Sequence, residues 1–153
     1  MAAILLDGKD LAGRRKAQMK TEVDALSLAG IQPGLAVVIV GNNPASRSYV
    51  TMKERDCAEV GIRSFEYALP EETSEEALLS LIDTLNANPH VHGILVQLPL
   101  PRHFDETKVL ERISPEKDAD AFHPQSAGKL LIGNPTFLPC TPAGVMELLK
   151  DAN

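Results

Sequence analysis

The sequence predicts an α/β fold in which a mainly parallel sheet lies between two layers of helices. Short apolar runs alternate with longer helical segments, in the order strand, helix, strand, helix, strand that is typical of βαβ units. The clearest run, residues 35–40, contains no polar side chain, as expected of a strand that is buried on both faces. Because ligands bind at the carboxyl ends of parallel strands, we expect a functional site at that edge of the sheet.

Glycines, prolines and capping side chains divide the sequence into the predicted elements. Gly30 and Gly61 are placed to end helices, and Pro70 ends a strand in which Phe, Tyr and Leu alternate with other residues. The predicted elements are helix 9–29, strand 35–40, helix 45–60, strand 62–69, a helix after a candidate capping box at 73–76, strand 91–98, a short helix capped by Asp105, and a helix with Thr141 as N-cap and Pro142 as its first residue.

One long segment, residues 114–139, is rich in Pro, Gly and polar residues and has little periodicity. We predict that it is mostly loop. Loops of this length inside a compact domain are usually functional, so the segment is a candidate for part of the site.

Composition and charge exclude several classes of partner. The 153 residues suffice for one domain, the net charge is −6, and no cluster of Lys and Arg is present. Nucleic acid and anionic membranes are therefore not expected as partners, and an aromatic content of 4% without Trp argues against base stacking. No apolar run approaches the roughly 20 residues of a membrane-spanning helix, and residues 1–8 do not have the pattern of a signal peptide. A small molecule is the expected partner.

The cysteines and histidines indicate a cytoplasmic protein without a metal centre. Cys57 and Cys140 lie far apart and are interpreted as reduced thiols. The four histidines are scattered without metal-ligand spacing, and His123 is interpreted as an ordinary loop residue. The sequence contains no Gly-x-Gly-x-x-Gly, so no dinucleotide-binding site is expected in this chain.

Tyr49 and Lys53 are the first candidates for chemistry. They are four residues apart on a predicted helix, so their side chains share one face. An aromatic surface beside an amine suits a planar heterocycle that gains or loses a proton. The alternative is an ordinary amphipathic helix with a half-buried Tyr and a solvated Lys.

Gln97 and Asp120 are further candidates at the predicted edge of the sheet. Gln97 lies in an apolar strand, where its amide can hold a substrate carbonyl, orient a lysine, or satisfy a nearby backbone group. Asp120 can accept paired hydrogen bonds from an amino-pyrimidine edge, although a solvated Asp-x-Asp loop has the same sequence. The residues alone leave these alternatives open.

Four segments in order resemble the signatures of the bifunctional methylenetetrahydrofolate dehydrogenase/methenyltetrahydrofolate cyclohydrolase family. They are residues 40–53 (VGNNPASRSYVTMK), 93–101 (GILVQLPLP), 117–124 (KDADAFHP) and 139–142 (PCTP). Together they extend over most of the chain.

The resemblance implies a role for each candidate. Lys53 is expected to be the general acid/base that activates the water attacking the methenyl carbon, Gln97 to hydrogen-bond and tune Lys53, and Tyr49 to stack on the folate ring. Asp120 is expected to hold the pterin amino edge. The substrate-binding residues implied by the resemblance are Tyr49, Val50, Lys53, Val96, Gln97, Leu98, Pro99 and Asp120.

The resemblance also implies a division of the chain. Residues 1–140 correspond to the folate-binding catalytic domain and residues 141–153 to a linker helix toward an NADP-binding Rossmann domain, which this chain does not contain. The family interconverts 5,10-methylene-, 5,10-methenyl- and 10-formyl-tetrahydrofolate. It is a homodimer at full length, whereas this piece is expected to be monomeric and to lack dehydrogenase activity alone. The alternative is a stand-alone module that binds reduced folate without turnover.

Ala121 departs from the family pattern, which has glycine at this position. A Cβ is tolerated where φ is negative but costs about 1 kcal/mol or more in a left-handed backbone. The geometry of the loop around Asp120 therefore depends on the φ of this residue.

Overall fold

The computed structural model describes residues 5–152, so predictions about residues 1–4 and 153 lie outside the described part of the chain. Within it the elements alternate as the sequence predicts. In chain order they are α1 Gly8–Leu28, β1 Gly34–Val40, α2 Pro44–Val60, β2 Arg63–Leu69, α3 Glu75–Ala87, β3 Gly93–Val96, α4 Glu106–Arg112, α5 Pro124–Leu131 and α6 Cys140–Asp151.

The three strands form one parallel sheet in the order β2-β1-β3. Val38 of the central strand is level with Tyr67 of β2 and with Val96 of β3. The carboxyl ends of all three strands therefore lie at the same edge, which confirms the predicted parallel sheet.

Helices cover both faces of the sheet, so the three-layer arrangement is confirmed. Side chains alternate along β1: Val38 belongs to a core shared with α3 and α4, whereas Val37 and Ile39 pack with Val50 of α2 on the opposite face. Helix α1 lies against α2, where Lys16 forms ion pairs with two acidic side chains of that helix.

The turn between β1 and α2 caps the helix that follows it, which begins at Pro44, one residue before the predicted start. Asn43 is the N-cap of α2, and its Oδ1 accepts from the backbone N–H groups of Ala45 and Ser46 at 3.0 and 3.2 Å. Pro44 occupies the first turn, and Gly61 ends the helix in the left-handed conformation with φ 86°. These residues fix the start of the helix that carries Tyr49 and Lys53.

Two helix caps differ from prediction, by one residue at α3 and by two residues at α6. Ser74, rather than Thr73, is the N-cap of α3, and Ala77 at the third helical position cannot return the hydrogen bond of a capping box. Helix α6 begins at Cys140 rather than after Thr141, because a proline at position 142 is still within the first turn, where its missing N–H has no cost.

The predicted strand 91–98 and loop 114–139 also need correction. The strand ends at Val96, although the Gln97 N–H still donates to the Val38 carbonyl at 2.8 Å. The long segment contains α5, and it also extends the sheet by a parallel bridge between Ile94 and Asp118. The chain after residue 114 is therefore held against β3 and is more regular than its composition indicates.

Candidate active site

A cleft of about 430 Å³ lies at the carboxyl end of β3, beside α2. Its walls come from four separate parts of the sequence. The lining residues are Tyr49, Lys53, Val96, Gln97, Leu98, Asp120, Phe122, Pro139, Cys140, Thr141 and Pro142. The structure thus brings together most of the residues that the sequence singles out.

Lys53 and Gln97 meet in this cleft. Lys53 Nζ donates to Gln97 Oε1 at 3.0 Å, and both side chains are partly buried. The other end of the amide is fixed, because Gln97 Nε2 donates to the carbonyl of Leu98 at 2.8 Å. An amide anchored in this way presents its oxygen to the lysine, so it orients the amine without adding charge.

Tyr49 lies one helical turn before Lys53 and is 55% exposed. An aromatic side chain of this exposure is free to contact a ligand. The partly buried Lys53 differs from the solvated lysine of the amphipathic-helix alternative. The helix therefore presents an open aromatic surface at the mouth of the cleft.

Asp120 lines the same cleft and is partly buried. Its neighbour there is Cys140, whose Sγ donates to the carbonyl of Ala119 at 3.6 Å. Desolvation of the sulfur and the Asp120 carboxylate both raise the pKa of the Cys140 thiol, even though the residue as a whole remains exposed. The thiol is therefore neutral at physiological pH, which leaves Asp120 as the acidic group of this cleft.

Two of the implied substrate-binding residues lie elsewhere. Val50 is 3% exposed and packs in the core with Val37, Ile39 and Leu95, so it supports the helix beneath the cleft. Pro99 is exposed and lines a neighbouring depression that also contains Glu71. The structure therefore brings Val96 and Leu98, but not these two, to the cleft wall.

Sequence reasoning missed several residues of the cleft. Phe122 is 49% exposed beside Asp120, and the segment from Pro139 to Pro142 forms a wall of its own. The signal was present in the fourth family signature, at residues 139–142, but its residues were not assigned to the site. Asp118 was noted only as part of an Asp-x-Asp pair, although it is 2% exposed and fully hydrogen-bonded.

The comparisons with known proteins place this arrangement in a family. A family model described as the tetrahydrofolate dehydrogenase/cyclohydrolase catalytic domain matches residues 6–120. The chain belongs to this family. That assignment confirms the resemblance drawn from the four sequence signatures.

Relatives of the family are similar along nearly the whole chain. Bifunctional protein FolD of Ruminiclostridium cellulolyticum is 62% identical over 99% of this chain, which corresponds to 53% of the relative. That of Halalkalibacterium halodurans is 56% identical over all of this chain and 55% of the relative. The chain spans about half the length of the curated relatives it matches.

Solved structures of the family have the same fold. The bifunctional enzyme FolD of Campylobacter jejuni superposes with a TM-score of 0.96 at 50% identity, covering 98% of this chain and 54% of that chain. The Trypanosoma brucei methylenetetrahydrofolate dehydrogenase-cyclohydrolase, complexed with NADP cofactor and inhibitor, has a TM-score of 0.94 at 39% identity, covering 98% of this chain and 52% of that one.

The β1–α2 turn does not fit the pyrophosphate of NADP. At the start of α2, Asn43 already accepts from the N–H groups of Ala45 and Ser46, which a phosphate would need. Glu71 and Glu72 line the depression beside this turn and would repel an anion. We therefore derive no chemistry for this chain through the dinucleotide.

Residues 5–152 contain no helix with both the length and the apolar composition needed to cross a membrane. Within the same residues no group of three or more His, Cys, Asp or Glu side chains is arranged to hold a metal ion.

Proposed function

We propose that this chain is the folate-binding catalytic domain of a methylenetetrahydrofolate dehydrogenase/methenyltetrahydrofolate cyclohydrolase, and that its cleft hydrolyses the methenyl form. The observation that carries the proposal is the hydrogen bond between Lys53 Nζ and Gln97 Oε1, inside a cleft that also presents Tyr49 and Asp120. Membership of the family supports the same reaction.

In the proposed hydrolysis, a water oxygen bonds to the methenyl carbon, and the bond between that carbon and N5 of the folate then breaks. Lys53 accepts one proton from the water as the carbon–oxygen bond forms and returns a proton to N5 as the carbon–nitrogen bond breaks. The second proton of the water passes to solvent when the formyl carbonyl forms. The product is 10-formyl-tetrahydrofolate.

Gln97 positions the amine for this exchange. The neutral amide accepts a hydrogen bond from Lys53 without placing a charge beside the amine. The backbone anchor at Leu98 keeps the amide in the required orientation.

Tyr49 and Asp120 bind the substrate in this proposal. The exposed Tyr49 ring stacks on the flat folate ring system, and the Asp120 carboxylate accepts from the amino edge of the pterin. Val96 and Leu98 supply the apolar wall between these two groups.

The dehydrogenase step needs a nicotinamide, which supplies hydride transfer when it is bound. We assign nicotinamide binding to the part of the full-length relatives that this chain does not match, because the β1–α2 turn does not fit the dinucleotide. Helix α6, from Cys140, is then the connection to that part, and its ion pair between Asp151 and Arg14 at 2.6 Å fixes its direction against α1. A cytoplasmic location and a homodimer of the complete protein remain predictions.

The test is the Lys53→Met variant of the native protein. We expect hydrolysis of methenyltetrahydrofolate to fall by about 100-fold or more, because general acid/base catalysis contributes roughly that much. Binding of 5-formyltetrahydrofolate, measured by calorimetry, should change by less than about threefold because the ring is held by other groups. Lys20→Met, an exposed lysine of α1, is the matched control and should retain wild-type turnover. Wild-type hydrolysis by Lys53→Met would refute the proposed mechanism, and binding without turnover by the unmodified native protein would favour the stand-alone folate-binding module.

A further inference from the structure

The loop that carries Asp120 is organised around the carboxylate of Asp118. Asp118 is 2% exposed, and its Oδ2 accepts from the backbone N–H of His123 at 2.9 Å and from the hydroxyl of Ser126 at 2.9 Å. Its Oδ1 accepts from the backbone N–H of Phe122 at 3.3 Å. A buried carboxylate with three donors is satisfied as an anion and is costly to replace.

The backbone of Asp118 is fixed as firmly as its side chain. The residues on either side of it hydrogen-bond to Ile94 of β3: the Ile94 N–H donates to the Lys117 carbonyl at 2.7 Å, and the Ala119 N–H donates to the Ile94 carbonyl at 3.3 Å. Asp118 therefore fixes the position of the groups that donate to its carboxylate relative to the edge of the sheet.

In sequence, Asp120 lies between this anchor and the three groups that donate to it, on Phe122, His123 and Ser126. The chain reverses there, because the Ala121 N–H donates to the Asp118 carbonyl at 3.2 Å and Ala121 is left-handed with φ 55°. A left-handed alanine is unfavourable on its own, so the conformation persists because the surrounding contacts impose it. Both Asp120 and Phe122 of this reversal line the cleft.

We infer that Asp118 is a positioning residue whose buried carboxylate holds the left-handed reversal at Ala121 and thereby sets Asp120 against the ligand. The inference rests on the proposed function, because it assigns Asp118 an effect on folate binding through Asp120. Asp118 itself does not touch the ligand, since it is absent from the cleft lining.

The test is a double-mutant cycle on binding of 5-formyltetrahydrofolate to the native protein, measured by calorimetry well below the unfolding temperature. Asp118→Asn keeps the size of the side chain but replaces one accepting oxygen by a donor, and we expect it to raise Kd by about tenfold. In the Asp120→Ala background the same substitution should change Kd by less than about twofold, because its effect acts through Asp120. A merely structural role would give the same loss in both backgrounds.

Two further variants make the experiment decisive. Glu116→Gln removes an equal charge from an exposed position of the same segment and should leave Kd unchanged. Ser126→Ala removes one of the three donors, and a smaller rise in Kd that disappears with Asp120→Ala would support the inference even if Asp118→Asn did not fold. In turnover, Asp118→Asn should raise KM and leave kcat close to wild type, because Lys53 and Gln97 are unaltered.

The failures are distinguishable. If Asp120→Ala binds as tightly as wild type, the proposed role of Asp120 is wrong, and the positioning role is overturned with it. If Asp120→Ala weakens binding but Asp118→Asn and Ser126→Ala do not, or if their effects are additive with it, only the positioning role is overturned.

Discussion

Replacing Gly34 with alanine should destabilise the start of the central strand. A Cβ at this position would lie far inside van der Waals contact with the carbonyl oxygen of His90 and 3.0 Å from the ring of Phe65. The first of these neighbours is backbone, which cannot rotate away. The strand must therefore move, and the move disturbs the 3.1 Å hydrogen bond from the Gly34 N–H to His92 Nδ1.

The magnitude follows from three terms. Overpacking destabilises the fold by about 1–3 kcal/mol, and a weakened hydrogen bond by about 1 kcal/mol. The lower conformational entropy of alanine in the unfolded chain offsets about 0.5–1 kcal/mol of this loss. The free energy of unfolding should therefore fall by about 2 kcal/mol, which for a chain of this size lowers Tm by about 4–8 °C.

Urea denaturation followed by circular dichroism measures this change. Gly13→Ala is the matched control: Gly13 lies within α1 with no heavy atom near its added Cβ, so the change should raise the unfolding free energy by about 0.5–1 kcal/mol. If Gly34→Ala were as stable as wild type, the close approach of β1 to His90 would not constrain the strand, and the packing argument would fail.

Two further predictions concern charge and cofactor. Glu54 hydrogen-bonds to Glu66, and this contact, followed by burial, raises the pKa of the Glu54 carboxyl above its usual 4.5. An acid whose pKa is raised by folding contributes stability below pH 4.5, where it is protonated in both states. This contribution is lost as the pH rises through the pKa of the group in the folded chain. Glu54→Gln should therefore raise the urea midpoint at pH 7 and lose that advantage at pH 4, whereas an equal gain at both pH values would show that ionisation of the Glu54 carboxyl is not the cause. Calorimetry of the 153-residue chain should detect no micromolar binding of NADP; such binding, or NADP-dependent oxidation of methylenetetrahydrofolate, would place the cofactor site within this chain.

The central part of the fold could be predicted because its signals are local. The apolar run of β1 and the stop at Gly61 each act within a few residues. The end of β3 could not be predicted in the same way: Leu98 continues the apolar pattern after Gln97, and only the neighbouring strand determines where pairing ceases. Helix α5 was missed because its cap is His123, which is an unusual capping residue, and because the segment around it contains several Pro and Gly residues.

The site was predictable only in part, for a physical reason. Spacing places Tyr49 and Lys53 on one helical face, but the contact between Lys53 and Gln97 joins residues 44 apart in sequence, which no local pattern encodes. The family resemblance supplied that pairing. Neither residue spacing nor the family resemblance showed that Val50 is buried away from the cleft or that the Asp118 carboxylate is a buried hydrogen-bond acceptor. Both facts depend on which way a side chain faces in the folded chain.

The cleft draws its walls from α2, the end of β3, the loop at Asp120 and the start of α6, which span some ninety residues from Tyr49 to Pro142. No subset of these segments encloses it, so the binding-competent state is the completely folded chain. Occupancy and global unfolding are consequently linked: a ligand at one hundred times its Kd adds about 2.7 kcal/mol to the unfolding free energy of the whole domain. If folate binds in this cleft as proposed, a folate analogue therefore reports the folding of all four segments together, even when no reaction is catalysed.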